Sequence, residues 1–180
     1  MFPRALGPGA ELRLLADADA EPLYALIDAN RAHLRAWLPW VDGEQSPDTT
    51  RRFLRAAQAT LAAGLGGQYA ICVEEQLAGV IGQHHIDWPN RAGMLGYWLG
   101  AAYEGRGLMT HACRALVTHM LREQGLHRVE VRAAPGNRRS RAIPERLGFR
   151  QEGILRDAEW LYDHYVDLVV YAMLADDWPE

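Results

Sequence analysis

The 180-residue sequence predicts an α/β fold in which helices cover both faces of a mixed sheet of about six to seven strands. Strand-like and helix-like segments alternate along most of the chain. A glycine-bearing turn joins the apolar run Met94–Leu99 to a helical pattern that begins near Leu108. Another strand-like run, His127–Ala133, follows that helix, and a helical crossover of this kind makes two strands parallel neighbours.

The first half of the chain carries most of the predicted helices. Ser46 and Pro47 are typical of a helix start, because Ser caps the helix and Pro suits its first position. Glu74-Glu75-Gln76 indicates a tight hairpin between two strands. In order, we predict a strand at Glu11–Leu15, a helix capped by Asp17 or Asp19, a short helix over Asn30–Leu38, a helix from Ser46, and strands at Tyr69–Val73, Leu77–Ile86 and Met94–Leu99.

The second half begins with the helix that follows the glycine-bearing turn. Gly125 is placed to end that helix, and Gly148 to end the next one, which starts near Asn137. Pro144 lies inside this second helix and lacks an N–H, so we expect a local irregularity there. The remaining predicted strands are His127–Ala133, Phe149–Arg156 and Tyr165–Leu174.

Composition and charge narrow the class of protein. A net charge of -4 and a pI near 6.0 argue against direct nucleic-acid binding. All 19 basic residues are arginine, which excludes a lysine Schiff base or a lysine general base. Cys72 and Cys113 lie in apolar patterns and are expected in the core, unpaired and without a metal. We therefore expect one domain over residues 1–180 in a reducing, cytoplasmic setting, without a membrane segment.

The turn around Gly105 and Gly107 is typical of a phosphate-binding loop at a helix N-terminus. A Walker loop requires lysine, which this chain lacks. A dinucleotide fingerprint fits poorly, because Thr110 replaces its third glycine and Glu130 lies inside a predicted strand. For the loop taken alone, a glycine turn that only caps the following helix remains an open alternative.

A third loop type matches better. Glu104-Gly-Arg-Gly107-Leu-Met109 resembles the pyrophosphate loop of the GNAT superfamily of acyl-CoA N-acyltransferases, Gln/Arg-x-x-Gly-x-Gly/Ala, with Glu104 and Met109 as departures. Asn137-x-x-Ser140, followed by Glu-Arg-Leu-Gly-Phe149, is similar to a second segment of that family at the expected distance. The resemblance implies the GNAT fold and acetyl-CoA as the cofactor.

Further segments are similar to the ribosomal-protein N-terminal acetyltransferase branch of this family. They are Ala32–Trp40, Gly96–Leu99, Gly105–Thr110 and the C-terminal run from Glu159 to Tyr171. The resemblance implies transfer of acetyl to a primary amine, with a protein N-terminus as the expected acceptor. A small-molecule amine acetyltransferase and an acyl-CoA-binding sensor without turnover remain as alternatives, and a homodimer is left open.

The resemblance also assigns site residues. The expected cofactor contacts are Tyr97, Trp98, Leu99, Glu104, Gly105, Arg106, Gly107, Leu108, Met109, Thr110, Asn137 and Ser140. Ser140 is the candidate that protonates the leaving thiolate, although a serine there can also be only a helix cap. Glu159 is the candidate base at the amine, with a solvated loop carboxylate as the alternative.

The sequence identifies the residues that contact the acceptor less clearly than it identifies the cofactor contacts. His84 and His85 lie on a strand that can reach the cleft, while a structural role is open for each. At least one of Trp37 and Trp40 is expected in the core, and for the other the core and the acceptor cleft are both open.

Overall fold

The computed structural model describes residues 2–179 and contains an eight-stranded mixed sheet with strand order β1-β2-β3-β4-β5-β6-β8-β7. The strands are β1 Arg4–Gly7, β2 Ala10–Leu14, β3 Gly67–Val73, β4 Gln76–Asp87, β5 Ala92–Leu99, β6 Arg128–Ala133, β7 Arg150–Leu161 and β8 His164–Leu174. The α-helices are α1 Ala20–Ala29, α2 Arg31–Arg35, α3 Pro47–Ala62, α4 Leu108–Thr118 and α5 Arg138–Arg146. A π-helical segment, His119–Glu123, continues α4.

Helices pack on both faces of this sheet, as predicted. Tyr69 and Ile71 of β3 point into the core formed with α4, whereas Ala70 and Cys72 belong to the core formed with α1 and α3. The alternation along β3 places successive side chains on opposite faces. Cys113 lies in the α4 core, so the two cysteines are buried on different faces and both are free.

The predicted fold class is confirmed, with two corrections in the N-terminal part. The eight-stranded sheet exceeds the expected six to seven strands, because β1 was not among the seven predicted strand segments. The four residues of β1, between Pro3 and Pro8, carry too little alternation to be recognised. Asp19 does not cap α1 with its side chain. Its carboxylate instead accepts hydrogen bonds from Arg13 and from the Ala16 amide.

The other caps agree with the sequence. The Ser46 hydroxyl accepts from the Thr49 amide at the start of α3. Gly125 and Gly148, with φ of 72° and 83°, follow the two later helical segments in the left-handed region that glycine favours. Strand β7 runs to Leu161 and is therefore longer than the predicted Phe149–Arg156, so that Glu159 belongs to a strand rather than to a loop.

The only parallel pairing among residues 2–179 joins β5 to β6, as the α4 crossover predicts. This pairing is short, because it runs from Ala92 opposite Arg128 to Leu95 opposite Val131 and then stops. Beyond that point β5 stays paired with β4 as far as Leu99, and β6 stays paired with β8 as far as Ala133. The two central strands therefore diverge, and a gap opens at their carboxyl ends.

One hydrogen bond joins β5 to α5 across this gap. Pro144 has no N–H, so the Ser140 carbonyl four residues earlier lacks its helical donor. The Tyr97 hydroxyl of β5 donates to that carbonyl at 3.0 Å. Burial, with a smaller contribution from Cys113, raises the pKa of Tyr97, so the hydroxyl keeps its proton and remains a donor. The expected irregularity at Pro144 thus provides the acceptor for a tertiary contact.

We expect Tyr97→Phe to lower the free energy of unfolding by about 1 to 3 kcal/mol, because it leaves the Ser140 carbonyl without a partner. The cost should be smaller in a Pro144→Ala background, where an amide at position 144 can donate to that carbonyl. Chemical denaturation of both single variants and the double variant measures the coupling. Tyr165→Phe, at a ring that is 59% exposed, is the control. Strictly additive effects of the two substitutions would contradict this account.

Candidate active site

Two cavities meet where β5 and β6 diverge. The smaller has a volume of about 580 Å³ and the larger about 1080 Å³. The smaller, which we call the acceptor-side cavity, extends over β4, β5 and the ends of β6 and β7. The larger, the loop-side cavity, lies between the turn before α4 and the start of α5. The residues that line both are Trp37, Leu38, Tyr97, Trp98, Asn137 and Ser140. A ligand extending from one cavity into the other passes these six residues.

The loop-side cavity contains the predicted glycine turn. Gly105 and Gly107 have φ values of 73° and 75°, which is the left-handed region. Gly107 is the N-cap residue of α4 and no side chain caps this end, so the first amides of the helix lack helical acceptors. A Cβ built at Gly105 would meet no atom within 4 Å, and one at Gly107 would meet the His111 ring at 3.8 Å. The turn can therefore bring a phosphate close to free N–H groups at the positive end of α4.

Cationic side chains surround this turn. Arg146 donates to the Thr110 hydroxyl at 2.8 Å and so links α5 to the first turn of α4. Glu104, one of the two departures from the family pattern, contacts His33 at 3.1 Å and pairs with Arg139, and Arg139 compensates its charge beside an anion site. Arginines that line this cavity are Arg106, Arg138, Arg139 and Arg146. Of these, only Arg106 is predicted from the sequence, although α5 is conspicuously rich in arginine.

At the start of α5, the residue that caps the helix, Asn137, differs from the candidate for proton transfer, Ser140. Asn137 is the N-cap residue, and its side-chain oxygen accepts from the Ser140 amide at 3.2 Å. The helix end is thus capped by Asn137 and not by Ser140. Within residues 2–179 the Ser140 hydroxyl has no hydrogen-bond partner, and Ser140 lines both cavities. Its hydroxyl is available to a bound ligand.

Glu159 lines the acceptor-side cavity from β7. The pairing of β7 with β8 is irregular between Leu155 and Glu159, so the strand departs from regular alternation just before this residue. Burial raises the pKa of Glu159 above its ordinary value. A half-buried carboxylate with a raised pKa is suited to accept a proton from a bound amine.

The structure separates the two neighbouring histidines. His84 lines the acceptor-side cavity, with its Nδ1 3.4 Å from the Gln68 side-chain amide. Burial, and secondarily His85, lowers the pKa of His84, which favours the neutral ring. His85 has a φ of 45° at an irregularity of the β4–β5 pairing, is exposed, and does not line either cavity.

The two tryptophans are each 38% exposed. Trp37 lines both cavities and packs near Gly136, where a Cβ would lie 3.5 Å from its ring. Trp40 lines the acceptor-side cavity, with its ring centroid 6.0 Å from that of Trp98. Both indoles therefore border the cleft, and the expectation that one is a core residue is wrong.

Glu44 and Gln68 also line the acceptor-side cavity and were not predicted from the sequence. Glu44 follows a short 3-10 turn and carries no local pattern that points to a site. Over residues 2–179, no group of three metal-ligating side chains is close enough to hold an ion. In the same part of the chain, no helix is long and apolar enough to cross a membrane.

Comparison with known proteins connects this geometry to a family. The family described as "Acetyltransferase (GNAT) domain" matches residues 10–150. The chain is 37% identical over 179 residues to the putative ribosomal N-acetyltransferase YdaF of Bacillus subtilis (strain 168), covering 99% of this chain and 98% of that protein. It is 32% identical to the ribosomal-protein-serine acetyltransferase of Escherichia coli (strain K12), covering 92% and 93%, respectively.

Comparison with solved structures supports the same family. The RimL ribosomal L7/L12 alpha-N-protein acetyltransferase in complex with coenzyme A superposes with a TM-score of 0.92 at 29% identity, covering 96% of this chain and 98% of that one. The predicted resemblance, enzyme class and acetyl-CoA cofactor are confirmed. The chain belongs to the GNAT family of acetyl-CoA-dependent acetyltransferases.

Proposed function

We propose that this enzyme transfers acetyl from acetyl-CoA to the N-terminal amine of a protein, such as a ribosomal protein, in the cytoplasm. The amine attacks directly while cofactor and acceptor are bound together. The observation that carries this proposal is the meeting of two cavities at Ser140, one with phosphate-binding features and one with Glu159. The names of the relatives, which describe ribosomal-protein acetyltransferases, support the acceptor class.

The loop-side cavity fits the cofactor. The amides from Gly105 to Thr110 bind the pyrophosphate, aided by the helix dipole of α4, whereas the Glu104 amide of the same turn donates to the Ala101 carbonyl. Arg106, Arg138 and Arg146 supply charge-assisted hydrogen bonds to phosphate oxygens, whereas Arg139 is paired with Glu104. At the gap, the β5 segment Tyr97–Leu99 has no β6 partner and can bond the pantetheine arm. Asn137 contributes its amide N–H₂, because its oxygen is already used by the Ser140 amide.

Two side chains carry out the proton transfers. Acetyl-CoA, when bound, supplies a thioester whose acetyl carbon accepts the amine. Glu159 removes a proton from the acceptor amine, for which its raised pKa is suited. Ser140 donates its hydroxyl proton to the departing sulfur and regains a proton from solvent. His84, neutral and in the same cavity, lines the path of the acceptor together with Trp37 and Trp40.

A second candidate is a small-molecule amine acetyltransferase, favoured by the cavity volume of about 580 Å³, within the range common for small-molecule sites. A screen of N-terminal peptides and small amines, read by free-thiol release and mass spectrometry, separates the two. We expect acetylation at a peptide α-amine. Turnover confined to small amines would favour the second candidate, and tight acetyl-CoA binding without turnover on any amine would favour a sensor.

The cofactor loop is tested by Gly107→Ala. We expect the KM for acetyl-CoA to rise about tenfold, equivalent to ~1.4 kcal/mol of binding, because alanine disfavours the left-handed backbone that aims the amides. Gly64→Ala is the matched control, since Gly64 has a φ of 69° and open space around it but lies outside both cavities. Both variants should lose similar stability. An unchanged KM in folded Gly107→Ala protein would refute the loop assignment.

Ser140→Ala should lower kcat by about 100-fold or more and leave the KM for acetyl-CoA nearly unchanged, since cofactor binding depends mainly on backbone donors. Stability should change little, because Asn137 caps α5. The chain's other serine gives the opposite profile: Ser46→Ala removes the α3 cap, costing about 1 kcal/mol of stability without lowering kcat. Steady-state kinetics and thermal denaturation distinguish the two, and wild-type kcat in Ser140→Ala would exclude the acid role.

Glu159→Gln should lower kcat at neutral pH, typically by ~100- to 10,000-fold for a lost general base, and the deficit should shrink as pH rises and more free amine is present. Because the pKa of Glu159 is raised, the acidic limb of the wild-type profile should lie above the ordinary carboxylate range and vanish in the variant. A higher acceptor KM with unchanged kcat, and with strong salt dependence, would instead identify a carboxylate that only attracts the acceptor.

A further inference from the structure

A second carboxylate lines the acceptor-side cavity and takes no part in the steps above. Glu44 follows the 3-10 turn Val41–Gly43, and its Oε2 accepts a hydrogen bond of 2.8 Å from the Thr50 hydroxyl. Thr50 lies on α3 and is fully buried, at 0% exposure. The Glu44 carboxylate is therefore held in a defined orientation at the cavity wall.

Among the described residues 2–179, no cationic side chain neutralises this carboxylate. Arg31 contacts this segment, but it donates to the main-chain carbonyls of Val41 and Glu44 and forms its ion pair with Asp28. Neither contact involves the Glu44 side chain. A carboxylate bordering a cavity without a counter-ion favours a cation as its ligand.

The other charged groups of the cavity do not compensate Glu44. Arg132 is bound through Nε and Nη2 to Glu130. His84 has a lowered pKa caused by burial, which favours its neutral form. Glu159 is a second acidic group. The acceptor-side cavity therefore has an acidic balance, whereas arginines surround the loop-side cavity.

The position of Glu44 indicates which part of an acceptor it can reach. Thr50 belongs to α3, which packs with α1 over β3 and β4. The reacting amine belongs at the β5–β6 gap beside Ser140, roughly two strand spacings away, or about 10 Å. An extended chain covers at most about 3.6 Å per residue, so Glu44 lies within reach of the first three residues of a bound peptide.

We propose that Glu44 binds a lysine or arginine side chain within the first three residues of the acceptor, so that the enzyme prefers protein N-termini with an early basic residue. This inference rests on the proposed function, because it names a substrate class for the same site. Glu44 is a specificity-determining residue in this scheme, and it takes no part in proton transfer.

Two N-terminal serine peptides test the preference, identical except that residues two and three are both lysine or both glutamine. We expect wild-type kcat/KM to be about tenfold higher for the lysine peptide, as for a charge-assisted hydrogen bond. In Glu44→Gln the ratio should fall to about one, since glutamine can still accept from Thr50 but carries no charge. Glu44→Lys should reverse the preference when a glutamate peptide replaces the lysine peptide.

Glu75→Gln is the matched control, because this carboxylate is exposed in the β3–β4 turn and lines neither cavity. Its peptide ratio should equal that of the wild type. A wild-type ratio near one, or an unchanged ratio in folded Glu44→Gln protein, would overturn the Glu44 assignment while leaving the proposed function intact. Failure of the wild type to acetylate either peptide would overturn both.

Discussion

The divergence of β5 from β6 is the constraint on which the site depends. Their pairing ends at Leu95 and Val131, and each strand then continues with its outer neighbour alone. Residues beyond Leu95 consequently present unpaired backbone groups to the gap, which a ligand can satisfy. The Tyr97–Ser140 hydrogen bond fixes α5 to this edge, and so places the Ser140 hydroxyl beside the same gap. Sheet geometry, rather than a set of catalytic side chains, defines where the reaction can occur.

The two cavities on either side of the gap differ in charge, and this difference distinguishes the cofactor end of the cleft from the acceptor end. The loop-side cavity combines helix-end amides with arginine side chains. Glu104 would oppose an anionic ligand there, but His33 and Arg139 engage its carboxylate. The acceptor-side cavity instead carries Glu44 and Glu159. A phosphate-bearing cofactor and a cationic acceptor are thus favoured on opposite sides of Ser140.

Local patterns predicted most of the fold and the glycine turn that precedes α4. The left-handed Gly105 and Gly107, the crossover helix and the Asn137–Ser140 spacing are all set by short-range sequence. The remainder depends on contacts between distant segments. His85 lies outside the cavity because the irregular β4–β5 pairing changes the face of the sheet that it occupies. The irregularity at Pro144 contributes to a tertiary contact only through the hydrogen bond from Tyr97 of β5. Glu44 becomes part of the cavity wall through Thr50.

A crystal structure with coenzyme A and an acceptor peptide bound together tests the central claim most directly. The measured quantity is the position of the cofactor sulfur relative to the Ser140 hydroxyl and of the peptide α-amine relative to Glu159. We expect the sulfur within about 3.5 Å of the Ser140 Oγ, and the amine entering from the cavity that Glu159 lines. A sulfur outside the gap between β5 and β6, or an amine entering beside the glycine turn, would contradict the account.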